Sequence, residues 1–243
     1  MRRFFSYPFL TLIFFLILNF ALWKQTHKVQ LPWTNVPPVP EEKRADMLTL
    51  GDKQLAYRYY ALMLQNLGSI GAHDVSLKKI DYAKLQKWLF LEEYLDPVSN
   101  VIPMMAAQYF GAVDDSDKLD YITAYLAQAG SQPHNNRWRW LAHGVFLARH
   151  VQKDNEKALA LAYKLAENKD PTLAAWAKQM PVFILNDQGD KDTAYKIMLN
   201  ILISNVDTMS PQEITYMRDY ICHTLLVEKP KLEKPEFCSE ISP

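Results

Sequence analysis

Residues 135–171, NNRWRWLAHGVFLARHVQKDNEKALALAYKLAENKDP, hold the pattern that decides the fold. Trp138, Leu141, Ala142, Val145 and Ala148 recur at helical spacing and make one apolar stripe. Trp140, Gly144, Leu147 and Val151 make a second. A helix that is apolar on two faces is packed on two sides, which is the state of a helix inside a stack. Gly144 has no side chain, so a neighbour is expected to approach closely there. The third face reads Arg139, His143, Phe146, His150 and Lys153, basic and polar with one aromatic. A polar turn, Lys153-Asp154-Asn155-Glu156, leads into Lys157-Ala158-Leu159, then Ala162 and Ala166, and the unit closes at Asp170-Pro171. The spacing predicts helices over 135–152 and 155–168.

Outward from this unit the same signals recur. Helices are expected at 45–67, 81–95, 100–112, 116–129, 171–187, 190–204 and 211–227, and no stretch alternates cleanly with a period of two. Asp170-Pro171 and Ser210-Pro211 each set a capping side chain before a proline at the first helical position. Ser210 with Glu213 makes a capping box, and Asp154 and Asp190 are placed to cap their own helices. Asp114-Asp115-Ser116-Asp117 lacks the glycine and closing glutamate of a calcium loop and reads as a helix start. Gly68, Gly71, Gly130 and Gly189 fall just past helix ends, where a left-handed residue is wanted. Pro181 falls inside a helix and should kink it or split it in two.

The helix pairs begin near 100, 135, 171 and 210, spacings of about 35, 36 and 39 residues, and units of that length signal a solenoid. The 135–171 unit resembles a tetratricopeptide repeat, with an aromatic-rich first helix, a short polar turn and small residues in the second. The next unit follows with Trp176, the turn Gln188-Gly189-Asp190, then Ala194. The resemblance spans roughly 100–227. It implies an all-α helix–turn–helix solenoid, a TPR-like superhelix, following one N-terminal transmembrane helix. It also implies the role of such anchored proteins in bacteria, a scaffold binding protein partners in an envelope complex.

The transmembrane expectation rests on FFSYPFLTLIFFLILNFALW, residues 4–23, which carries no charge, follows Arg2 and Arg3 and stops at Lys24. About 20 apolar residues at 1.5 Å rise span about 30 Å, the hydrocarbon thickness of a bilayer. Pro8 is tolerated in the first turn of such a helix. The run closes on bulky residues with no A-x-A pattern and no nearby cysteine, which favours an uncleaved anchor over a cleaved signal peptide, the competing reading. Trp23, Lys24 and Lys28 suit the interface. The flanking charges nearly balance, and Arg2 and Arg3 tip the expectation towards a domain outside the cytoplasm, periplasmic in a bacterium. The layout is then a short tail at 1–3, the anchor at 4–23, a linker at 24–44 punctuated by Pro32, Pro37, Pro38 and Pro40, the helical domain at 45–227, and a Lys/Pro/Glu-rich tail at 228–243.

Lys and Arg number 27 and Asp and Glu 27, so the basic excess of a nucleic-acid binder is missing. The two cysteines, Cys222 and Cys238, either form a disulfide, closing about 16 residues and requiring an oxidising compartment, or remain free thiols. No metal-ligand spacing, catalytic motif or dinucleotide fingerprint occurs. Glu92-Glu93 reads as solvated helix surface, because adjacent helical residues diverge by about 100°. His143 and His150 share a face but lie about 10 Å apart along the axis, too far for one metal. Tyr57, Tyr59, Tyr60, Tyr82, Tyr94 and Tyr109 give the N-terminal half an aromatic character, to be used in packing or in binding. The expectation is a non-enzymatic chain with no cofactor, metal, nucleic-acid or small-molecule ligand. It would bind a protein partner through Arg139, His143, Phe146, His150 and Lys153. The alternatives are an envelope enzyme, such as an all-helical cell-wall glycan hydrolase with a buried acid in a cleft, and a structural subunit of a membrane complex.

Overall fold

The computed structural model describes residues 7–26, 36–67, 76–228 and 234–239. Among them the chain is helical, with no strand. The expected helix stops at Gly68 and Gly71, the linker residue Pro32 and the interfacial Lys28 lie outside these residues. Helix α1, Tyr7–Thr26, is apolar all round, with Phe14, Ile17 and Phe20 exposed and Lys24 in its last turn. It is long and apolar enough to cross a bilayer, a test that a secretory signal helix also passes.

The remaining helices are α2 Lys53–Gln65, α3 Tyr82–Leu95, α4 Val101–Gln108, α5 Ser116–Ala129, α6 Trp138–Phe146, α7 Asn155–Ala166, α8 Ala175–Asp187, α9 Lys191–Asn205 and α10 Pro211–Tyr220. Helices α6 and α10 each continue into one wide π turn, Leu147–Val151 and Ile221–Leu225. From α5 to α9 each helix packs chiefly on its neighbours in sequence. The core follows the chain in three blocks. Tyr60, Leu85, Leu89, Ile102, Phe110 and Leu126 join α2 to α5. Leu141, Val145, Ala158, Ala162 and Leu165 join α6 and α7 to Ile184 of α8. Met198, Leu202, Met217 and Ile221 close the C-terminal end.

Capping explains most of the helix starts. Asp154 accepts from Lys157 N (2.9 Å), Asp190 from Thr193 N (3.1 Å) and Asp115 from Lys118 N (3.3 Å). Ser210 and Glu213 complete both halves of a capping box. Three starts differ from the sequence reading. Helix α2 begins at 53 rather than 45, because Leu50 and Gly51 take positive φ and Asp52 supplies the cap. Helix α6 begins at 138 rather than 135, because Asn135 and Asn136 are both left-handed (φ 56°). Helix α8 begins at 175, because Asp170 spends its carboxylate on Thr172, in a turn of its own. Helix α8 then runs unbroken through the buried Pro181, held between α7 and α9.

The glycines also change role. Gly189 takes the expected left-handed conformation (φ 84°). Gly130 does not (φ −77°). A Cβ there would lie 2.6 Å from Leu141 Cβ and 2.8 Å from Leu126 O, so it is glycine to let α5 and α6 meet. Gly144, where a close approach was expected, would place a Cβ 3.6 Å from Leu126 Cβ, an ordinary contact.

The described part of the proline-rich segment lies on the domain. Val36 is buried, the Trp88 indole donates to Pro37 O (2.9 Å), and the Tyr60 hydroxyl donates to the carbonyl of fully buried Ala45 (2.8 Å). At the other end Cys222 and Cys238 form a disulfide (Cα–Cα 5.5 Å), and Arg218 sits over the Phe237 ring, 5.0 Å from its centroid.

Candidate functional site

On the third face of α6, three of the five expected residues form a ring ladder. His143 and Phe146 lie 5.7 Å apart between ring centroids, and Phe146 and His150 lie 5.0 Å apart. The π turn keeps His150 in line with Phe146, since its wider turn carries a four-residue step over the same face. Phe146 is 48% exposed, large for a phenylalanine with no membrane role in its own helix. Burial holds His143 below the usual histidine range, opposed by a hydrogen bond with the Ala107 backbone. Arg139 is not part of the ladder, as its guanidinium lies over the Trp138 ring at 5.5 Å. Lys153 lies past the helix, in the left-handed turn (φ 57°) that leads to the Asp154 cap.

Beyond α1, exposed apolar side chains are most numerous on α2 and α4. Helix α2 shows Leu55, Tyr59 and Leu62, spaced to form one stripe, and α4 shows Val101 and Met104 with Tyr109 just past its end. Phe146 on α6, Trp176 on α8 and Tyr216 on α10 extend the series. The odd-numbered helices α3, α5 and α7 also show one each, Tyr94, Tyr121 and Tyr163, and α9 shows Ile203 with Val206 just past its end. Even helices also touch each other. Gln65 of α2 shares a cleft of about 440 Å³ with Val101, Met104, Met105, Gln108 and Tyr109. Trp138 and Trp176 meet edge to face at 5.4 Å, and Arg149 pairs with Asp187 at the end of α8. Phe183 meets Tyr220 edge to face, also at 5.4 Å. The tyrosines of the N-terminal half divide accordingly. Tyr57, Tyr60 and Tyr82 are buried in the core, while Tyr59, Tyr94 and Tyr109 are exposed.

Glu92 and Glu93 are not solvated surface. Glu93 pairs with Arg137, which is fully buried, and its Oε2 accepts from Arg137 Nη2 at 2.8 Å. Arg137 also donates to the carbonyls of Pro97 and Ser99, so one guanidinium ties the α3–α4 turn to the start of α6. The Tyr125 hydroxyl donates to Glu93 Oε2 as well (3.3 Å). Glu92 is 0% exposed, neither of its carboxylate oxygens has a hydrogen-bond partner, and burial, with Asp96 adding to it, pushes its carboxyl from an ordinary 4.5 up to about 8. An acid this perturbed is a functional candidate in a cleft. Glu92 lines neither the α2–α4 cleft nor those around α8 and α10. Nothing in the local sequence marks either residue, since Arg137 lies 44 positions from Glu93.

No protein-family model, no curated protein and no solved structure matches the chain.

Proposed function

We propose that the chain is a membrane-anchored scaffold, a TPR-like solenoid held outside the cytoplasm by α1, that binds a protein partner of a bacterial envelope complex on its even-numbered helices. The observation that carries this is the cluster of exposed apolar side chains on α2 and α4, continued by Phe146 on α6, Trp176 on α8 and Tyr216 on α10. Exposed aromatic and apolar residues gathered on one set of elements mark interaction surfaces.

The repeat architecture is supported by the reach of the side-chain hydrogen bonds. Among long-range spans that run from 15 to 51 residues, several fall near one repeat length, 34 at Trp138–Thr172, 35 at Gln86–Tyr121, 36 at Lys78–Asp114, 37 at Lys157–Asp120 and 38 at Arg149–Asp187. A stack in which each repeat meets only its neighbours produces contacts at one repeat length. The Cys222–Cys238 bond suits an oxidising compartment, and so a periplasmic domain. The length and apolarity of α1 suit an uncleaved single-pass anchor in the inner membrane. Glu92, the acid that a hydrolase reading would use, is enclosed and is read here as structural.

The test is a double substitution in the ladder, Phe146→Asp with His150→Glu, followed by partner capture from crosslinked membranes. Capture should be lost while thermal stability is kept. Unchanged capture, or loss accompanied by unfolding, contradicts the placement of the binding face.

A further inference from the structure

The segment Asp46-Met47-Leu48-Thr49-Leu50-Gly51-Asp52 combines two features that are unfavourable in a protein surrounded only by water. Met47, Leu48 and Leu50 are 66%, 78% and 99% exposed, three aliphatic side chains in four residues. Leu50 is also left-handed (φ 56°), a conformation that a side chain beyond glycine or asparagine takes at a cost. The loop is nevertheless well built. Thr49 N and Gly51 N both donate to Asp46 O, Leu50 N to Met47 O and Asp52 N to Thr49 O. The Thr49 hydroxyl lies 2.9 Å from Asp46 O and 2.8 Å from Asp52 O, bridging the loop's two sides. The buried carbonyl of Ala45, accepting from Tyr60, fixes its base to α2. A rigid frame thus holds three apolar side chains outward, with none of them used in the core.

We infer that this loop is a second membrane contact, which inserts Met47, Leu48 and Leu50 into the lipid interface beside the anchor. The inference rests on reading α1 as an uncleaved anchor. From Thr26, the end of α1, to Val36, the first residue seated on the domain, there are ten peptide steps, which reach at most about 35 Å. The domain is therefore confined near the lipid surface at its N-terminal end, where this loop stands. Glu41, Glu42, Asp46 and Asp52 balance Lys43, Arg44, Lys53 and Arg58 around it. The attraction is then apolar rather than electrostatic, and it should not require anionic lipid. Side chains of this kind settle about 5–10 Å into the headgroup–acyl boundary. The contact would fix the tilt of the domain over the membrane, which a single attachment point leaves open.

The test uses the full chain in vesicles of phosphatidylethanolamine and phosphatidylglycerol. With Cys222 and Cys238 bonded there is no free thiol, so Leu48→Cys takes a single environment-sensitive fluorophore. Ser204→Cys on α9 serves as the aqueous control and Leu18→Cys in α1 as the lipid control. At position 48 the emission should shift to the blue, fall with lipids carrying a shallow spin label, and resist iodide. It should be unchanged by added salt and return to the aqueous value when Leu50→Asp is added. A label at 48 that iodide quenches overturns the proposal. So does one shielded from iodide yet insensitive to spin-labelled lipid, since that is contact with protein. If the label at 18 also escapes the lipid quencher, the anchor reading fails. If it is quenched while 48 is not, the loop inference fails alone.

Discussion

Replacing Glu92 with methionine should stabilise the fold, and the gain should grow with pH. Glu92 is fully buried with both oxygens unpartnered, and its carboxyl is raised from an ordinary 4.5 to about 8, first by burial and then by Asp96. In the unfolded chain the group ionises above its ordinary value, whereas in the folded chain it keeps its proton up to about 8. The folded state therefore binds the extra proton throughout that window, so its stability falls as pH rises from 4.5 and levels off near 8. At about 1.4 kcal/mol per pH step, the penalty is about 1 kcal/mol near pH 5 and about 4 kcal/mol near pH 7.5. Methionine matches the length of glutamate and carries no charge. The stability difference between Glu92→Met and the natural chain should thus widen by about 3 kcal/mol between those conditions. Urea unfolding in detergent, followed by tryptophan fluorescence, reads it directly, with Trp88 buried on the same helix. A difference that stays the same at both pH values would refute a buried, proton-retaining Glu92.

Arg137→Ala should cost about 3–5 kcal/mol, since it leaves Glu93 buried without its partner and frees the carbonyls of Pro97 and Ser99. Arg137→Lys should not restore the loss, because an ammonium lacks the fork that meets both carboxylate oxygens, and thermal melts of the two variants check this. Gly130→Ala should destabilise by at least about 1–3 kcal/mol through overlap with Leu141. Gly144→Ala should be neutral or stabilising by up to about 1 kcal/mol, because its Cβ meets only ordinary contacts. Reducing the Cys222–Cys238 bond should cost about 3 kcal/mol. Chemical denaturation with and without dithiothreitol, compared with Cys238→Ser, measures it.

The helices were legible in the sequence because local chemistry writes them. Asp154, Asp190 and Ser210 cap where their spacing places them, and Trp138, Leu141, Val145 and Ala148 bury the face that their period defines. What was not legible depends on partners far along the chain. The α6 start is displaced by two left-handed asparagines, Asn135 and Asn136, the first of which pairs with the 98–100 turn. Glu92-Glu93 has the composition of a surface pair, and only the fold buries one acid as a proton holder and brings Arg137, 44 positions away, to the other. The ring ladder of the proposed face was partly legible. His143, Phe146 and His150 fall together because a helix and its π turn keep them in line. Arg139 and Lys153 are drawn off by Trp138 and by a backbone reversal. The apolar series on the other even helices is a property of which helices cover each other, and no single helix displays it.

In the proposed function a protein partner seats on the even-numbered helices of a membrane-tethered stack. A photoreactive phenylalanine analogue, placed in living cells at Tyr59, Phe146 or Tyr216 and at Tyr121 or Tyr163 on odd helices, tests it most directly. One common adduct is expected from the first three positions and none from the last two; adducts from the odd helices, or equally from both sets, would rule out this seat.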